Sequence, residues 1–445
     1  HSRSAALAAG IGSCQSLHLA AMQTVQSIPG AIPILHAGPG CASKLNDNNG
    51  SSGHYAANIY PCSLVSEKEV VFGGIKKLRN TIENSLKVID ADLFVVLSGC
   101  TTEIIGDDIQ EVTEEFYDSE KPVIRAKTPG FKGNNYLGHD WILKSIFEQY
   151  LKRLPASPKV KGLVNIFAGT PEQDPFWLGN LRELERLVQS IGLTPNTIFG
   201  FGRSVENLAK LRQAEYTILV SPWAGSESAE FLEKKYGIPL LKYPVLPIGA
   251  SETGKFLRAV GNFCNADKEL VEKVIKENEA EFYYYIERYA ETFLEPQIVG
   301  KRFTVVSEAQ YSLAVTKFLV NDMGNFPLKI FITDDTPEKY RESIKAEFEK
   351  LNYDIKAEVE WNIDGNDISK KIRDFDFAGN PLIIGSFWEK KLAVELGAHF
   401  VNISYPILDR LVINSSVAGY AGGLKLLEDI YSGLNLSHLH KSSKN

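Results

Sequence analysis

Methionine and cysteine are scarce in this chain, at 2 and 5 of 445 residues. No apolar run approaches the roughly 20 residues that cross a bilayer, so a membrane is not an expected partner. The start carries no basic–apolar–small signal pattern, and the first residue is His1, so a trimmed or extended N-terminus is expected. Five cysteines in so long a chain do not make a disulfide framework, and a reducing, cytoplasmic setting is expected. Dense basic runs are missing: Lys76-Lys77 and Lys234-Lys235 are only pairs, and 55 acidic against 48 basic residues leave a formal charge of −7. Nucleic acid is therefore not an expected partner either. No Gly-x-x-x-x-Gly-Lys-Ser/Thr run occurs, which excludes a P-loop ATPase. Gly200-Phe201-Gly202 lacks the third glycine of a dinucleotide fingerprint and reads as a plain strand-to-helix turn. Serine, histidine and aspartate occur outside any nucleophile-elbow context, so no triad is proposed.

What is present is an ordinary globular composition, 44% apolar and 23% charged, in a chain too long for one core. Three segments share one theme of apolar strand, glycine-containing loop, amphipathic helix and apolar strand. That alternation predicts an α/β protein: parallel sheets with helices on both faces. The boundaries fall near 160 and 300, giving units 1–160, 161–300 and 301–445. Expected strands are Ile32–Leu35, Leu93–Leu97, Val164–Phe167, Thr217–Val220, Thr304–Val306, Lys329–Ile332 and Leu382–Ile384. Expected helices include Lys68–Val88, Leu178–Ser190, Ser226–Tyr236 and a polar connector over Glu277–Glu295.

Three of the five cysteines sit in contexts suited to holding metal. Cys14 lies in Gly12-Ser13-Cys14-Gln15, Cys41 ends His36-Ala37-Gly38-Pro39-Gly40-Cys41, and Cys100 closes the apolar run Leu93–Gly99. Glycines admit a bulky group close to the backbone, and strand ends of parallel sheets are where such proteins place ligands. A buried cysteine is also a common small hydrophobe, and that reading suits Cys62 and Cys264, which lack a glycine context. Three thiolates are too few for a four-ligand zinc or iron–sulfur site, so water, another residue type or a second chain must complete the set. In Gly106-Asp107-Asp108 a helix cap outweighs a metal site. His36 and His54 are expected to be satisfied loop histidines rather than ligands.

In order along the chain, these segments resemble the nitrogenase component 1 family, in its β-type subunit. Ser13-Cys14-Gln15-Ser16 resembles the family's T-C-Q-P, His36–Cys41 its H-G-S-Q-G-C, and Gly99–Asp108 its T-C-x-x-E-x-I-G-D-D. Glu67–Gly74 resembles E-x-x-x-V-F-G-G, and Thr128–Gly133 resembles T-P-x-F-x-G. Tyr405–Arg410 with Gly419–Gly422 resembles F-P-x-x-D-R and G-Y-x-G. The likeness is densest in residues 10–140 and 400–430. It implies three Rossmann-like domains and an α2β2 assembly with an α-type partner subunit. It implies an 8Fe-7S P-cluster, or a related Fe–S cluster, shared across the αβ interface, with Cys14, Cys41 and Cys100 as this chain's metal ligands. It also implies an ATP-hydrolysing 4Fe-4S iron protein as electron donor and a catalytic metal cofactor in the α-type subunit. No catalytic residue is carried over to this chain. The alternative is a non-catalytic scaffold subunit for cofactor assembly, against which retention of all three cysteines argues. The sequence departs from the family at Ser16, which replaces proline, at 50–61, which looks more like α-type relatives, and in its shorter length. Asn134 stands where many β-type chains have serine, and is expected to alter the redox behaviour of the cluster. These departures leave room for a substrate other than dinitrogen, as in methylthio-alkane reductases.

Overall fold

The computed structural model describes residues 17–41, 43, 60–294 and 300–442. Their strands form three sheets in which every pairing is parallel. The first holds β1 (Ala31–His36), β2 (Leu93–Ser98) and β3 (Val123–Lys127), in the order β1-β2-β3. The second holds β4 (Val160–Ala168), β5 (Thr194–Asn196), β6 (Ala214–Val220) and β7 (Leu240–Tyr243), in the order β5-β4-β6-β7. The third holds β8 (Arg302–Ser307), β9 (Phe326–Pro327), β10 (Lys329–Ile332), β11 (Glu358–Trp361), β12 (Leu382–Gly385) and β13 (His399–Asn402). Its order is β11-β10-β8-β12-β13, with β9 also on β8.

Continuous apolar runs become strands buried on both faces, the mark of parallel sheets covered by helices. In β2, Leu93, Val95 and Leu97 join one core cluster, while Phe94 and Val96 point into another. Leu382 and Ile384 of β12 are likewise split from Ile383. Helix Ala309–Asn321 is buried along its entire length, as a helix in the middle of a large protein must be. Its one cation, Lys317, is paired with Glu347 at 3.1 Å.

The sheets are tied by polar groups as well as by apolar packing. Asp140 accepts from the backbone N–H groups of Glu227 and Ser228 at 2.9 and 2.7 Å, where helix Ser226–Tyr236 begins. Asn180 Oδ1 accepts from Val417 N and Ala418 N, fixing the approach to helix Gly419–Ser442.

The long helix expected over 68–88 is two, Glu67–Phe72 and Ile75–Val88. Gly73, at φ +86°, breaks it, because that left-handed backbone is open mainly to glycine. The cap expected at Asp107–Asp108 falls on Asp108, which accepts from Gln110 N and starts helix Ile109–Glu115. Cys100 does more than close β2: it is the first residue of a further helix, Cys100–Ile105. Among the described residues no helix is long and apolar enough to cross a membrane.

Candidate metal centre

β1 and β2 lie side by side with His36 opposite Ser98, so the segments leaving them emerge together at one sheet edge. The first, through Gly38-Pro39-Gly40, turns into helix and carries Cys41. The second carries Cys100. The two are laced at the strand ends: Gly99 N and Thr102 Oγ1 both donate to the His36 carbonyl, at 2.9 and 2.7 Å. Glycine is required at 99, because a Cβ there would lie 2.8 Å from the Ala37 Cβ. Cys41 and Cys100 are both half-buried. Beyond β3, Gly130 N donates to Cys100 Sγ at 3.1 Å. An N–H aimed at a ligating sulfur adjusts the potential of the iron bound to it. All three strands of the first sheet thus contribute at one edge.

Cys14 and His54 lie outside the described residues; of the three expected ligands the structure describes Cys41 and Cys100, on the segments that leave the adjacent strands β1 and β2. Among the described residues no group of three or more His, Cys, Asp or Glu side chains is arranged to hold a metal ion. Two soft sulfur donors, one with a backbone N–H on it, suit iron in an Fe–S cluster better than a hard cation. The two described donors are of the kind such a cluster takes.

Cys62 had no motif to recommend it, yet it lies beneath the Cys41 turn, its thiol donating to the Ala37 carbonyl at 3.4 Å. Burial pushes its thiol up, opposite to what a ligand needs. Cys264 is pushed up to about 12, by burial first and then by Glu215.

His36 is a strand-end residue, fully buried, rather than a loop histidine. Its Nε2 contacts Asp107 at 2.9 Å and its Nδ1 contacts Ser63 Oγ at 2.9 Å. Burial lowers its pKa, an effect only partly offset by the Asp107 bond.

Asn134 caps helix Asn135–Arg153 through Oδ1, which accepts from Leu137 N at 3.0 Å. Its Nδ2 donates to the carbonyls of Asp334 and Asp335 at 3.3 and 3.4 Å. Both ends of the amide are thereby engaged by backbone groups.

The segments that touch this edge carry exposed apolar side chains: Val71 (72%), Phe72 (81%), Ile104 (73%) and Phe131 (59%). Clustered exposed apolar side chains, a collar of this kind, are what interaction surfaces carry.

A second polar centre was not anticipated. Asp174, Glu308 and Asp334 line a narrow cavity of about 20 Å3 with Tyr136, Thr170 and Trp223, room for about one water. Tyr311 and Phe176 N donate to Asp174 at 2.5 and 2.8 Å, Ser307 to Glu308 at 2.7 Å, and Trp223 Nε1 to Asp334 at 2.9 Å. Burial pushes Asp174 up to about 6 and Glu308 up to about 8. Separations of 26 and 134 residues hide this trio from any local motif.

A family model described as "Nitrogenase component 1 type Oxidoreductase" matches residues 16–435. A nitrogenase molybdenum-iron protein beta chain of Crocosphaera subtropica is 26% identical, over 95% of this chain and 82% of its own length. The beta chain of Methanococcus maripaludis is 25% identical, over 94% and 92% respectively. A solved structure described as "Nitrogenase Cp1 at pH 6.5" superposes with a TM-score of 0.77 at 21% identity, covering 95% of this chain and 92% of that one. At that identity the superposition speaks for the fold alone.

Proposed function

Because this chain belongs to the nitrogenase component 1 type oxidoreductase family, we propose that it is the β-type subunit and holds half of an interfacial Fe–S cluster through Cys14, Cys41 and Cys100. Its relatives make it a subunit of an oxidoreductase complex with an α-type partner. The observation that carries the finer reading is the edge of the first sheet. There two half-buried thiols leave adjacent strand ends, one receives a backbone N–H, and exposed apolar residues surround them. When bound, a cluster of the P-cluster type supplies one-electron storage and relay toward the catalytic cofactor of the α-type subunit. This chain's residues supply the thiolates, exclude water on one side and set the local hydrogen bonding. By the family resemblance, an ATP-hydrolysing iron protein delivers the electrons to the complex. A role as assembly scaffold is the weaker reading, because the matched relatives are named as nitrogenase beta chains.

The test is the iron and sulfide content of the native complex, with its EPR spectrum in reduced and oxidised states. A complex without iron overturns the proposal. Turnover that needs neither ATP nor the iron protein overturns the electron-relay part alone.

A further inference from the structure

Asp107 follows Gly106, whose φ of +82° ends the helix begun by Cys100. Its carboxylate is almost fully buried. Both oxygens accept from Gly74 N at 3.0 Å, and Oδ2 also meets His36 Nε2 at 2.9 Å. A carboxylate only accepts, so the His36 Nε2 carries the proton and Nδ1 accepts from the Ser63 hydroxyl. The approach is close: a Cβ on Gly74 would lie 2.6 Å from Asp107 Oδ2 and 2.9 Å from His36 Cε1.

Three segments meet on this one side chain. His36 ends β1, five residues before Cys41. Gly74 follows the exposed helix that ends in Val71 and Phe72. Asp107 itself lies seven residues beyond Cys100. The helix that ends in Phe72 is tied to the Cys41 segment on its N-terminal side by Val65 N, which donates to the Ala37 carbonyl at 3.0 Å; on its C-terminal side the tie is the carboxylate, through Gly74 N. The segments of Cys41, Cys100 and Phe72 therefore share this carboxylate in addition to the backbone bonds at the strand ends.

We propose that Asp107 is a positioning residue for the cysteine site: its carboxylate holds the Cys41 and Cys100 segments and the Phe72 turn as one unit, so that what covers Phe72 is transmitted to the thiolates. The inference rests on the proposed cluster reading. Asp107 touches no thiol and is not itself a ligand.

The experiment uses the complex of this chain with its α-type partner, carrying Asp107→Asn or Gly74→Ala. The amide retains one acceptor and turns an N–H2 toward existing donors, while the added methyl displaces the carboxylate from both partners. Both variants should keep full iron content, since no ligand changes, yet show a shifted midpoint potential and an altered EPR line shape. Glu115→Gln, which breaks only the exposed Arg79 pair, should change neither. Wild-type potential and EPR in both iron-replete variants overturn the proposal. Should the variants fail to assemble, hydrogen exchange on the wild-type complex decides. The amides of residues 70–76 should exchange at different rates in the reduced and oxidised states, and equal rates overturn it. A wild-type complex without iron fails the cluster reading instead, and is recognisable by that analysis alone.

Discussion

The edge of the first sheet and the cavity lined by Asp174, Glu308 and Asp334 both sit among strand ends and adjoining loops, yet they are built in opposite ways. At the edge the functional atoms are soft, half-buried and flanked by exposed Val71, Phe72, Ile104 and Phe131. At the cavity they are hard oxygens, with Asp174 and Asp334 buried and Glu308 half-buried, and they are satisfied by Tyr311, Ser307, Trp223 and Thr336 of the same chain. On the proposed reading, the first site is finished by another polypeptide. The second is complete, with room for about one water. A chain built this way offers a bulky group a place at its rim, and reserves its polar interior for holding its sheets together.

The sharpest way to break that contrast is to remove the sulfur. Cys14→Ala, Cys41→Ala and Cys100→Ala in the complex should each lose most of the iron and the cluster EPR signal, because thiolate is the ligand such iron requires. Cys62→Ala and Cys264→Ala should retain iron, since burial keeps both thiols protonated. Full iron in all three ligand variants would reduce the rim to ordinary surface.

Next in size is the collar. Phe72→Ser removes an 81% exposed aromatic whose burial under a partner is worth about 2 kcal/mol, or roughly 30-fold in affinity. Native mass at graded dilution reads assembly with the α-type chain, and titration of turnover reads the iron protein. Unchanged values for both would show that the collar is never covered.

The cavity should answer to pH rather than to metal. Glu308 is pushed from about 4.5 up to about 8, by burial first and by the neighbouring Asp174 and Asp334 charges, against the Ser307 hydrogen bond. A raised carboxyl binds its proton more tightly in the folded chain. Its stabilising contribution is thus complete below about pH 4.5 and is lost as pH rises through about 8. Glu308→Gln should flatten the fall in melting temperature between pH 5.5 and 8.5. An undiminished slope would place the titration on Asp174 or on Asp322, which burial pushes up to about 7.

Much of the contrast was readable in the sequence on one side only. Leu93–Leu97 and Leu382–Ile384 are strands buried on both faces, and such strands announce themselves as unbroken apolar runs. The Cys41 and Cys100 segments were visible because glycine and cysteine stand together locally. The Gly73-Gly74 pair was itself a local break signal, which the helical periodicity of 68–88 masked, while its tie to Asp107, 33 residues away, left no local trace. The acid trio was invisible for the same reason: long-range burial, rather than any neighbour in sequence, gives those carboxyls their character.

Asn134 supplies the smallest prediction, and it bears on both regions at once. By motif it belongs to the rim, where a serine would be a candidate iron ligand. By structure its amide is already engaged, capping helix Asn135–Arg153 and reaching the Asp334 and Asp335 carbonyls beside the acid cavity. Serine is as good a helix cap as asparagine, but it is too short to keep both of those long hydrogen bonds. Asn134→Ser should therefore cost no more than about 1 kcal/mol, seen as a small drop in melting temperature. It should leave the oxidised-state midpoint potential of the complex, and its pH dependence, where they were. Asn134→Ala should cost more, since it removes the cap as well, about 1 kcal/mol further. A redox titration that moves with Asn134→Ser would put the hydroxyl on iron, return this residue to the rim, and show that the loop 130–136 rearranges when the cluster is in place.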